Sequence, residues 1–313
     1  MAGSGDSVRA IFFALGANFA IAVAKGVAAF VTGSGAMLAE TVHSLADCGN
    51  QLLLLLGLRQ AKRPVNSEHP LGYGRAIYFW SFLVAVMLFS VGGMFSVYEG
   101  VHKLMHPEPL QKWWWAVGVL VFAILAEAVS MRACLQEVDK ARGSRTLWEW
   151  FRESRQAELV VIFGEDLAAL LGLLFALAAV GLTVLTGNPL FDAIGTIAIG
   201  VLLLVIAVLV AIEVKAMLIG QSVDPLLQAE ITGFLKGRPE IAELLHLITL
   251  QQGNEVLVSI HARMHQVRDG EAMLREIDQV ERALKRQFPV VRWSFFEPEG
   301  VDAAMPAKAP GVP

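Results

Sequence analysis

Six apolar runs, each long enough to cross a hydrocarbon core about 30 Å thick, dominate this chain of 313 residues. They fall near residues 9–31, 36–58, 76–100, 113–136, 156–183 and 189–217. Charged residues make up only 17% of the chain, against about a quarter in an ordinary soluble domain, so there is too little polar surface to coat a globule of this size. The runs are read as membrane-spanning helices, because inside lipid every backbone polar group must be satisfied within its own element or a closed barrel. Thr32-Gly-Ser-Gly35 joins the first run to the second, and Leu185-Thr-Gly-Asn-Pro189 joins the fifth to the sixth. Both are turns by composition, and each makes a helical hairpin.

Basic residues set the orientation. The link after the second run carries Arg59, Lys62, Arg63 and Arg75, and the link after the fourth carries Lys140, Arg142, Arg145, Arg152 and Arg155. The links on the other side hold only Lys103 and Lys112, so both termini are expected in the cytoplasm, with a bacterial inner (plasma) membrane as the setting. Trp113, Trp114 and Trp115 open the fourth run at the depth of an aromatic belt. A net charge of −4 spread along the chain implies no nucleic-acid partner, whereas membrane lipid is an obligatory one. Cys48 and Cys134 both fall inside apolar runs and make no disulfide framework.

The composition changes near residue 222. The stretch 226–298 reads helix, strand, strand, helix, strand, with strands at Leu245–Leu250, Val256–Met264 and Val290–Phe296 and a helix at Ala272–Phe288. The expected architecture is a six-helix membrane domain over 1–220 and a cytoplasmic α+β domain over 221–300, with one sheet face covered by helices. A Pro/Ala/Gly-rich tail, 301–313, is expected to be disordered.

Chemistry enters with the ionisable residues at membrane depth. His43 and Asp47 are four residues apart in the second run, which puts both on one helix face, one turn from each other. Asp166 stands in the fifth run. Intramembrane ionisable groups are costly and mark ion pathways by default. An imidazole and carboxylates aimed inward from two helices suit a divalent cation, and without a thiolate the ion is held loosely enough to leave. A metal must also displace the imidazole proton, so metal and proton compete for one site. Asn50, three residues beyond Asp47, faces the same way and is a candidate oxygen donor. Glu165 is a further candidate, rotated by about 100° from Asp166 around the helix. A purely structural pairing of His43 with Asp47 is the competing reading, as is interhelical hydrogen bonding for Asn50 and Gln51.

The run from Thr32 to Asp47, with its His43-Ser44-Leu45-Ala46-Asp47 core, resembles the first-to-second helix signature of the cation diffusion facilitators, a family of zinc and manganese efflux transporters. His69-Pro-Leu-Gly-Tyr-Gly74, Asp192-Ala-Ile-Gly195 and Leu218-Ile-Gly-Gln-Ser-Val-Asp-Pro225 match it as well, and the resemblance covers about residues 8–298. Glu165-Asp166-Leu-Ala-Ala-Leu-Leu-Gly172 is similar to a zinc-transporter-like subgroup with a Glu-Asp motif on the fifth helix. Many members carry His or Asp four residues before that acid, where this chain has Ile162, so the fourth ligand and the identity of the metal stay open.

The resemblance implies a homodimer whose protomers exchange a divalent cation, zinc first, for protons by alternating access. It also implies a metallochaperone-like C-terminal module for dimerisation and metal sensing, in which His246, His261 and Glu297, the last in place of the more usual Asp, stand where bacterial relatives carry regulatory ligands. Manganese, iron, cobalt or nickel is the alternative cargo, and a membrane-anchored metal sensor the alternative role. No organic cofactor is implied. No nucleophile–base pair, phosphate loop or open zinc-hydrolase motif is present, so an enzyme is not expected.

Overall fold

The computed structural model describes residues 4–32, 35–107, 113–265 and 269–299, with the side chains of 4–7, 28–29, 31–40, 42–43 and 46 outside the description. The tail 301–313, expected to be disordered, lies outside the described residues. Two compact units result, Met1–Ile219 and Gly220–Pro313.

The first unit is helical. Its elements are α1 (Ser4–Thr32), α2 (Gly35–Ala61), α3 (Ala76–Met87), α4 (Phe95–Met105), α5 (Trp113–Arg142), α6 (Leu147–Glu153), α7 (Ala157–Thr186) and α8 (Leu190–Ile219). Among the described residues five segments are long and apolar enough to cross a membrane: Val8–Val27, Ala76–Met105, Trp113–Arg142, Ala157–Thr186 and Leu190–Ile219. The chain is an integral, multi-pass membrane protein. α2 has comparable length but carries His43, Asp47, Asn50 and Gln51 within it, and it is not among the five. α7 ends where Gly187 takes a left-handed φ of 70°, and Asn188 Oδ1 then accepts from Leu190 N to start α8, so this hairpin turns where its composition indicated.

The third spanning segment is not the uninterrupted helix its hydropathy suggested. Leu88–Met94 widens into a π-helical stretch between α3 and α4. Gly92 and Gly93 loosen the backbone there, and Ser90 and Ser96 return their hydroxyls to the carbonyls of Val86 and Gly92. The following turns lie hard against α8. A Cβ on Gly100 would stand 2.8 Å from the backbone nitrogen of Ile197, and one on Gly200 would stand 2.7 Å from that of Val97. Glycine is required at this seam because backbone meets backbone. Lys103 Nζ closes its end with a 3.0 Å bond to Asp192 Oδ2.

The link between the fourth and fifth apolar runs holds more structure than its polarity implied. α5 continues to Arg142, and α6 begins with a capping box in which Thr146 Oγ1 accepts from Glu149 N while Glu149 Oε2 accepts from Thr146 N. α6 buries Trp150 and Phe151, the Trp150 ring meeting Phe163 of α7 edge-on at 5.7 Å. Arg152 pairs with Glu213 of α8 at 3.0 Å.

The second unit comprises α9 (Pro225–Lys236), β1 (Ile241–Gln252), β2 (Glu255–Met264), α10 (Gly270–Gln287) and β3 (Val291–Glu299), the order read from sequence. The sheet order is β1-β2-β3, with β1 antiparallel and β3 parallel to β2. β2 alternates strictly, burying Val256, Val258, Ile260, Ala262 and Met264 in one core with Ile231 and Leu235 of α9 and Val280 and Leu284 of α10. β1 starts four residues before the expected Leu245. Register shifts between Ile241 and Glu243 and between Leu244 and His246 break the alternation that would have revealed its first half.

Candidate cation site

α7 presents two neighbouring carboxylates to two different helices. Glu165 turns to α2, where Asn50 Nδ2 donates to Oε1 at 2.9 Å and Gln51 Nε2 donates to Oε2 at 3.2 Å. Asp166 turns to α5, where Ser130 Oγ donates to Oδ2 at 2.9 Å. The offset of about 100° between adjacent helical residues accounts for this division. Asn50, Gln51, Ser130 and Asp166 are all buried. Ile162, one turn before Asp166, is fully buried and offers no donor.

Two further acids complete the group. Glu127, three residues before Ser130 on α5, is buried and lies within electrostatic range of Asp166, of Asp47 and of Lys25 on α1. Asp47, half-buried on α2, lies within range of Glu165. Among the described residues, Glu127 and Glu165 thus lie within electrostatic range of each other and of both Asp47 and Asp166, with Lys25 within range of Glu127. Buried like charges need compensating cations, whether metal ions, protons or both. The amide oxygens Asn50 Oδ1 and Gln51 Oε1 are buried without a hydrogen-bond donor among the described residues. Each such orphan costs about 1–3 kcal/mol, and a cation or a water on it would relieve that cost.

The structure thus brings Asn50 to Glu165 and Asp47 into the field of Glu165, while holding Asp166 toward Ser130. His43 lies on α2 one turn before Asp47, but its side chain lies outside the described residues. Among the described residues no three His, Cys, Asp or Glu side chains converge closely enough to hold an ion. Ser130 was not singled out from sequence. Its signal is the spacing Glu127-x-x-Ser130, two polar groups on one face of an otherwise apolar run.

In the C-terminal unit, His246 stands opposite His261, and His261 opposite Glu297, so the three form one row across the sheet. His261 Nε2 also stands 3.4 Å from Glu299 Oε2. The next row on that face is Ile248, Ser259 and Phe295, whose outer members are 52% and 54% exposed. His265 follows the end of β2 at Met264 and does not share the row.

With this geometry established, comparison with known proteins identifies the chain's relatives. Residues 11–219 match the cation efflux transmembrane domain. The mitochondrial proton-coupled zinc antiporter SLC30A9 of Xenopus laevis is 34% identical over 243 residues, covering 77% of this chain and 43% of the relative. Metal tolerance protein C4 of Arabidopsis thaliana is 32% identical over 232 residues, covering 74% of this chain and 51% of the relative. The cation-efflux pump FieF of Klebsiella pneumoniae is 28% identical over 287 residues, 90% of this chain and 89% of that protein. This chain thus spans about half the length of the first two. The family is one of transporters rather than enzymes, and the chain, matching its transmembrane domain across all of α2 to α8, belongs to the cation efflux family.

Proposed function

We propose that this protein exports a divalent metal cation in exchange for protons, with zinc as the cargo. The observation that carries the reading is the gathering of Asp47, Glu127, Glu165 and Asp166 around Asn50, Gln51 and Ser130, an excess of buried acid that an incoming ion or protons must balance. Asp47, Asp166 and His43 bind the ion, and Asn50 and Glu165 stand ready as additional donors. Carboxylates and an imidazole suit zinc, and the same oxygen-rich shell accepts manganese, iron, cobalt or nickel. The proton-coupled zinc antiporter among the relatives supports this choice.

In this reading α2 is a sixth span, and both termini face the cytoplasm of a bacterial inner membrane. Metal binding draws α2 and α7 together, and protonation of the same carboxylates releases the ion. Residues 1–220 form the transport domain and 221–300 a cytoplasmic domain that pairs two protomers. The exposed apolar side chains of Ile248 and Phe295 support such a homodimer, and His246, His261 and Glu297 beside them form a regulatory metal site. Reconstitution in liposomes tests the function. Zinc uptake driven by an imposed proton gradient is expected, and no proton-dependent uptake of zinc, manganese, iron, cobalt or nickel would refute the proposal.

A further inference from the structure

At the end of α4, two imidazoles face each other with no part in the buried site. His102 and His106 are separated by one helical turn, and their ring centroids are 4.9 Å apart with planes inclined at 32°. The backbone holds this spacing, because His106, the C-cap of the helix, donates its N–H to His102 O at 2.9 Å. Tyr98, a further turn back, stacks toward His102 at 6.4 Å and 27°, so one stripe of three rings runs along the helix. Both histidines are exposed. Lys103, the neighbouring cation, is turned aside to Asp192 and Thr196 and leaves the imidazoles clear of its charge.

We infer that His102 and His106 form a second, solvent-facing binding site for a divalent transition-metal ion at the far end of the third spanning segment. Zinc–imidazole bonds of about 2.0–2.1 Å meeting at roughly tetrahedral angles put two ring centroids on the order of 5 Å apart. The observed 4.9 Å is compatible with that spacing, and rotation about each side chain's χ angles turns one nitrogen of each ring toward a shared ion. Two neutral imidazoles select borderline ions such as zinc, nickel, cobalt or copper(II) over magnesium or calcium, which prefer oxygen. Among the described residues no third His, Cys, Asp or Glu joins them, and two protein ligands hold an ion loosely enough to exchange readily. α3 begins beside the basic link after α2 and α4 ends here, so the site lies at the membrane face opposite that link. It is placed to take up ions from the compartment on that side, independently of the acids between α2, α5 and α7.

The test is nickel and copper(II) titration of the full chain in detergent, for wild type, His102→Gln, His106→Gln and Asp166→Ala. Both histidines are exposed, so the glutamine variants keep the fold. Wild type is expected to bind one equivalent more than either histidine variant, or to bind that equivalent at least tenfold more tightly. Its copper(II) resonance spectrum should show two-nitrogen coordination that each histidine variant loses. Asp166→Ala should retain that equivalent. Unchanged stoichiometry and affinity in both histidine variants, loss in only one of them, or loss in Asp166→Ala would each overturn the assignment.

Discussion

Ser130 on α5 donates its hydroxyl to Asp166 on α7 at 2.9 Å, and through that bond the carboxylate of one helix is oriented by another. The bond engages Oδ2 of Asp166, and under the proposed function the other oxygen binds the ion. Partners that orient a ligand in this way are worth about 10- to 100-fold in metal affinity. Ser130→Ala is therefore expected to raise the zinc concentration for half-maximal uptake by roughly 10- to 100-fold while turnover at saturating zinc persists. Asp166→Ala and Asp47→Ala should each abolish uptake with the protein still folded in the membrane. Concentration-dependent uptake in liposomes separates the two classes.

Asn50 and Glu165 make the second interhelical link, and it should behave as a coupled pair. Asn50→Leu leaves Glu165 short of a donor in a buried setting, a loss of about 1–3 kcal/mol that appears as a lower thermal midpoint in detergent. Removing both partners together is far less costly than the two single losses combined. The double variant Asn50→Leu with Glu165→Leu should recover part of the stability lost in Asn50→Leu alone, and a double-mutant cycle of thermal midpoints measures the coupling.

Much of this arrangement is written in the periodicity of the chain. Five of the six expected spans follow from length and hydropathy, while α2, a helix of the expected length with polar residues within it, is not among them. The helices end within about six residues of the runs, α5 running on to Arg142. The face of α2 that carries Asp47 and Asn50 follows from the helical repeat. Which neighbour each acid meets does not, because rotation and tilt of one helix against another are set by packing. Hence Ser130 escaped notice, and Glu165 turned toward α2 while Asp166 turned toward α5. The π-helical stretch was hidden too, since Leu88–Met94 is as apolar as the helix around it and only the Gly92-Gly93 pair hints at it. In the C-terminal unit β2 was legible from alternation, whereas the row His246–His261–Glu297 required the register, which the strands fix only on pairing.

The glycine seam between α4 and α8 yields a contrast within one fold. Gly200→Ala places a methyl group against the backbone of Val97, where nothing flexible can yield, and should destabilise by about 1–3 kcal/mol. Gly118→Ala on α5 meets nothing within 4 Å and should be neutral or slightly stabilising. Thermal unfolding of the two variants in the same detergent checks the difference.

The capping box of α6 gives an acid-sensitive element outside the spans. Backbone and hydroxyl hydrogen bonds from Thr146 hold the Glu149 carboxyl below the ordinary carboxylate range. A lowered value means the contribution is present at neutral pH, above the unfolded range, and is lost as pH falls through the folded value. Hydrogen-exchange protection across 146–153, taken relative to the intrinsic rate at each pH, should fall in that acidic window, and Glu149→Gln should flatten the dependence.

If the acids between α2, α5 and α7 hold a travelling ion, anomalous scattering at the zinc edge, from crystals of the full chain grown with zinc, locates it. A peak is expected between α2 and α7, about 2.0–2.2 Å from carboxylate oxygens of Asp47 and Asp166. A zinc-loaded protein with peaks elsewhere and none touching either carboxylate would contradict that placement.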